Sequence, residues 1–322
     1  MDAGDVAELF GPVEAVDIQS RSEAVRLLNT PTSPVSPLRR EQLGRLADVL
    51  GFLAATQATV SPSPLRDPRV LAVHAPAGYS EASAADVEGG ADPLAAFIAG
   101  SEATVQPVPL TEGPEQTTWA VAAGIAAVDS AVDSGCDLII PTVSPLCVDE
   151  ADALTLFGAL TRTEPVALVG FAHNDATRWR ADVARVRDGM FRARDLSSEP
   201  LEALLACAPA ALQCLVGIIA QAAVRRTPVI IDGLVEAAAA WCAEALAQGT
   251  RHWLLAGVLT PQPAHRLVLA RLGIKALYAM NLPLGGGCGA LTTLGMVQAT
   301  ARLAAPTPAD EEPADDEPAD PS

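Results

Sequence analysis

An alternation of short apolar runs with helical segments constrains this chain more than any other feature. From residue 66 onward the runs "RVLAVHA", "ATVQPVPL", "CDLIIP", "PVALVG", "PVIIDG", "RHWLLAG" and "KALYAM" recur, with helix-like segments between them. A strand that is apolar along its whole length is covered on both faces, and such strands belong to parallel sheets flanked by helices. Right-handed crossovers then wind the chain into a Rossmann-like three-layer parallel sheet, an α/β domain expected over residues 66–290. Sheets of this kind bind ligands in loops that leave the carboxyl ends of their strands.

The chain ends read differently. Residues 1–60 carry helical pieces, among them "EQLGRLADVLGFLAATQ" with Leu43, Leu46, Val49, Leu50 and Leu53 near helical spacing. "LTTLGMVQATARLAA" repeats that pattern near the other end. Residues 306–322 hold no apolar side chain beyond alanine and are expected to be a disordered acidic tail. The formal charge is −18; seven acids (Asp310, Glu311, Glu312, Asp315, Asp316, Glu317, Asp320) fall in the last 13 residues, and the remainder is still acidic. Such a surface argues against nucleic acid and anionic membranes as partners.

Six cysteines (Cys136, Cys147, Cys207, Cys214, Cys242, Cys288) form no Cys-x-x-Cys pair and mostly sit in apolar runs. They read as buried reduced thiols of a cytoplasmic protein. The acidic start "MDAGDVAELF" lacks the basic region of a signal peptide. Residues 203–224 are uncharged, but Pro209, Gln213, Gln221 and the closing Arg225-Arg226 favour a buried helix over a membrane span.

The segment "NLPLGGGCGA" has the look of a loop that presents bare backbone to a ligand, yet it carries no acid, base or charge. With "RRTPVIIDGLVEAAAAWCAEAL" and "HWLLAGVLTPQPAHRLVLARLGIKAL", it resembles the nicotinate-nucleotide:dimethylbenzimidazole phosphoribosyltransferase family. "TEGPEQTTWAVAAGIAAVDSAVDSGCDLII" and "SPLRREQLGRLADVLGFLAATQ" are similar to upstream segments of that family. The resemblance implies a small helical domain built from residues 1–60 and 291–305, and a homodimer. It implies no metal and no cofactor. The family reaction moves phosphoribose from nicotinate mononucleotide onto a benzimidazole nitrogen. A carboxylate in an apolar pocket then serves as base, and backbone N–H groups hold the phosphate.

The family's base lies in a Leu-Gly-Glu-Gly-Ser/Thr-Gly-Ala loop, which here reads Leu284-Gly285-Gly286-Gly287-Cys288-Gly289-Ala290. Gly286 therefore stands at the glutamate position. Thr142 stands where the resemblance places a second carboxylate, and the phosphate-cradling loop becomes Ser144, Pro145, Leu146, Cys147, Val148 and Asp149. No catalytic residue is assigned. Ligand-binding candidates are Asp232, Gly285, Gly287, Cys288, Gly289, Ser144, Arg178, Arg180 and His265; His74 is a weaker one. For Asp149, Glu150 and Asp175 a helix cap or a solvated acid is the simpler role, and for Arg178 and Arg180 a solvated helix face.

Three functions stay open. One is a noncatalytic or substrate-altered relative that binds an aromatic base or nucleotide, alone as a homodimer or paired with an active paralogue. Another is an active phosphoribosyltransferase with a relocated base. The third is an unrelated Rossmann-like small-molecule binding protein.

Overall fold

The structure is a computed structural model and describes residues 9–29, 40–74, 93–110, 118–144, 147–170 and 175–304. The acidic tail and residues 75–92, which follow the first strand, lie outside the described residues. The chain divides into two compact units, Met1–Val16 with Leu65–Met296, and Asp17–Pro64 with Val297–Ser322.

The larger unit is built on a five-stranded sheet with order β2-β1-β3-β4-β5 and every neighbouring pair parallel. The strands are β1 (Pro68–His74), β2 (Thr104–Pro109), β3 (Leu138–Val143), β4 (Val229–Ile231) and β5 (Leu254–Ala256). The last three are buried along their whole length, as continuous apolar runs require. The chain leaves β1 toward β2 on one side and returns to β3 on the other, so the strand order reverses beside β1. That reversal is where open α/β sheets form their crevice.

Helices in this unit are α4 (Pro93–Ala99), α5 (Trp119–Asp133), α6 (Glu150–Thr161), α7 (Pro165–Val169), α8 (Ala176–Arg192), α9 (Pro200–Cys207), α10 (Ala210–Val224), α11 (Gly233–Leu246), α12 (Pro263–Leu272) and the start of α13 (Cys288–Ala304). The uncharged stretch 203–224 breaks at Pro209 into α9 and α10, and α10 is buried from Ala211 to Ala223. A Cβ on Gly124 of α5 would overlap the Cys214 carbonyl of α10, and one on Gly217 would overlap that of Val121. The two helices cross with backbones in contact, which only glycine permits. Among the described residues no helix is long and apolar enough to cross a membrane.

The smaller unit is helical. It holds α1 (Ile18–Leu27), α2 (Arg40–Leu43), α3 (Leu46–Thr56) and the end of α13. Asp17 caps α1 by accepting from the N–H groups of Gln19 and Ser20, at 2.9 and 3.0 Å. Leu28, Leu43, Ala47, Leu50 and Ala304 form its core.

Three expectations are corrected. "PVALVG" is not a strand but the short helix α7: Glu164 precedes Pro165 at the first helical position, and Gly170 ends it at φ +61°. "KALYAM" does not join the main sheet. Only Tyr278–Ala279 (β7) is extended, and it pairs with Val258–Leu259 (β6) in a separate two-stranded sheet. Residues 9–16 group with the α/β unit rather than with the helices that follow them: Phe10 is buried in the main core, and the Trp253 indole N–H donates to the Glu14 carbonyl at 2.9 Å.

Candidate functional site

Parallel strands end on one edge, and the candidate residues gather there. Thr142 lies near the end of β3 in register with Ala72 of β1, Asp232 follows β4, and Gly257 follows β5. The glycine loop runs through Gly285, Gly286 and Gly287 at φ +59°, +59° and +90°, then enters α13. Three consecutive positive φ values are accessible without strain only to glycine. A Cβ on Gly287 would lie 3.4 Å from Thr142 Cβ and Oγ1, and also 3.4 Å from Leu94 Cδ1. One on Gly286 would have, among the described residues, Thr142 Oγ1 at 3.9 Å. Gly286 and Gly287 thus lie close against Thr142 at the carboxyl edge of β3.

Asp232 fixes this loop. It is 2% exposed, and its Oδ2 accepts the Gly289 N–H at 2.8 Å. Burial pushes its carboxyl above the ordinary value, while the N–H groups of Gly289, Ala290 and Gly287 oppose that rise. A Cβ on Gly289 would sit 2.5 Å from Asp232 Oδ1 and 2.8 Å from Val258 Cγ2. The carboxylate therefore occupies the amino end of α13, where unpaired N–H groups and the helix dipole favour negative charge. Further along, Thr293 Oγ1 donates to the Gly289 carbonyl at 2.8 Å and lies 3.0 Å from the Tyr278 hydroxyl.

A second carboxyl, Glu236, stands one turn along α11 from Asp232 and is 2% exposed. Burial, and then the negative charge of Asp232, push it well above the ordinary range. Its Oε2 and the Gly285 Cα lie 3.4 and 3.8 Å from the point a Gly233 Cβ would occupy. The sequence offers one sign of this residue, a lone acid in the run "LVEAAAAWC" spaced four from Asp232. Sequence reasoning passed over it.

The other candidates have local partners. His265 is 1% exposed; its Nδ1 accepts the Thr260 N–H at 3.2 Å and lies 3.0 Å from the Thr260 hydroxyl. Burial lowers its pKa to about 4, so the ring is neutral and ties α12 to the segment before it. The Ser144 carbonyl accepts from the Cys147 and Val148 N–H groups and turns the chain into α6. Asp149 caps α6 in a reciprocal box with Asp152, and both pair with Arg185. Asp175 caps α8. Arg178 and Arg180 are exposed on the first turns of that helix, with Asp182 4.0 Å from Arg178. Cys288 is 3% exposed at the start of α13, and its N–H donates to the Gly285 carbonyl. None of the six cysteines is in a disulfide, and all but Cys147 are buried. The His74 side chain lies outside the described residues. Among the described residues no cluster of three metal-ligating side chains occurs.

The parallel α/β sheet with a glycine loop at its carboxyl edge is a ligand-binding frame, and a family model described as phosphoribosyltransferase matches residues 99–312. Nicotinate-nucleotide–dimethylbenzimidazole phosphoribosyltransferase of Corynebacterium efficiens is 34% identical over 92% of this chain and 89% of its own length. The enzyme of the same name from Mycobacterium ulcerans is 41% identical over 58% of this chain and 52% of its own. A crystal structure of CobT from Thermus thermophilus matches with a TM-score of 0.74 over 88% of this chain and 96% of that one, at 22% identity. The chain belongs to the nicotinate-nucleotide–dimethylbenzimidazole phosphoribosyltransferase family. Membership removes the alternative of an unrelated Rossmann-like protein.

Proposed function

We propose that this protein is a noncatalytic or substrate-altered member of its family. In this reading the crevice between the glycine loop and β3 receives an aromatic nitrogen base or its nucleotide, without the family's transfer chemistry at an ordinary rate. The observation that carries the reading is the closeness of Gly286 to Thr142 at the carboxyl edge of β3, two positions where family carboxylates are expected and neither residue can take up a proton. A positioned base contributes ~10²–10⁴-fold to such a reaction. The start of α6 points the same way. Asp149 is committed to capping and to Arg185, so an acid rather than a glycine cradle meets a phosphate there.

The bare loop backbone, the Leu94 side chain and the Thr142 methyl suit a flat ring. Assembly as a homodimer, or with an active paralogue, belongs to the same proposal.

The test is turnover of nicotinate mononucleotide with dimethylbenzimidazole by the full chain, beside a relative that keeps the loop glutamate. No more than trace product is expected. Turnover within tenfold of the relative would overturn the reading and point to a base elsewhere.

A further inference from the structure

We draw no further inference here: the strongest candidate, the surface patch of Met280, Pro283 and Leu284 on the segment leading into the glycine loop, carries nothing because no feature of the structure shows what covers it.

Discussion

His265 makes the stability of this protein sensitive to acid, with a magnitude set by its surroundings. Its pKa falls from 6.5 to about 4 because the ring is buried. The sign follows from proton uptake. Between these two values the unfolded chain binds a proton at His265 and the folded one does not, so stability is fully present above about pH 6.5 and is lost as pH falls through the folded value. A shift of this size corresponds to about 3 kcal/mol, at 1.36 kcal/mol per unit. Asp232 and Glu236 act oppositely, because raised carboxyls favour the folded state at low pH. The informative quantity is therefore a difference between two proteins that share those acids. His265→Asn offers an amide oxygen where Nδ1 accepts from Thr260, and it does not titrate. Urea denaturation at pH 7 and pH 4 should show the unaltered protein losing about 2–3 kcal/mol more than the variant. Equal acid losses in the two would refute the argument, because they would mean that the imidazole is protonated in the folded state.

Two further predictions concern the loop. Gly289→Ala places a methyl 2.5 Å from Asp232 Oδ1 and 2.8 Å from Val258 Cγ2, so it should destabilise by about 1–3 kcal/mol, read as a lower denaturation midpoint. Gly286→Glu has room, with no described residue nearer than 3.9 Å to its Cβ, but stands at φ +59° and should cost about 1–2 kcal/mol. It should fold without restoring transfer from nicotinate mononucleotide; recovery should need Thr142→Glu and a glycine-rich replacement of residues 144–149 as well. Robust turnover in the single variant would show that the segment after β3 already holds phosphate.

Legibility in the sequence followed the range of the forces involved. Apolar runs such as "LIIP" and "PVII", alternating with helical segments, read as strands covered on both faces and implied a parallel sheet. "PVALVG" misleads because a short apolar run fits either a strand or one turn of helix, and its Pro165 and Gly170 boundary signals outweigh its β-branched residues. Phe10 is assigned correctly only with the partners that bury it in view. Asp232 is visible from its place after a strand. Glu236 is not, because the same residue on an exposed face would be an ordinary solvated acid. Its significance comes from burial and from Gly233, both products of tertiary packing.

The shape of the glycine loop is held by residues other than Gly286. Shape depends on Asp232, which gathers the loop's N–H groups, on Gly289, whose missing Cβ lets Asp232 approach, and on the positive φ values of Gly285 and Gly287. Among the described residues, position 286 contributes no hydrogen bond to that framework. A glutamate there would start close to Thr142 and stand at φ +59°, at a backbone cost of about 1–2 kcal/mol that glycine does not carry. Threonine at 142 is equally compatible with the packing, since it is buried among neighbours in the sheet and near Gly287. Neither glycine at 286 nor threonine at 142 thus strains the loop or the sheet around it, which is compatible with the noncatalytic reading proposed above.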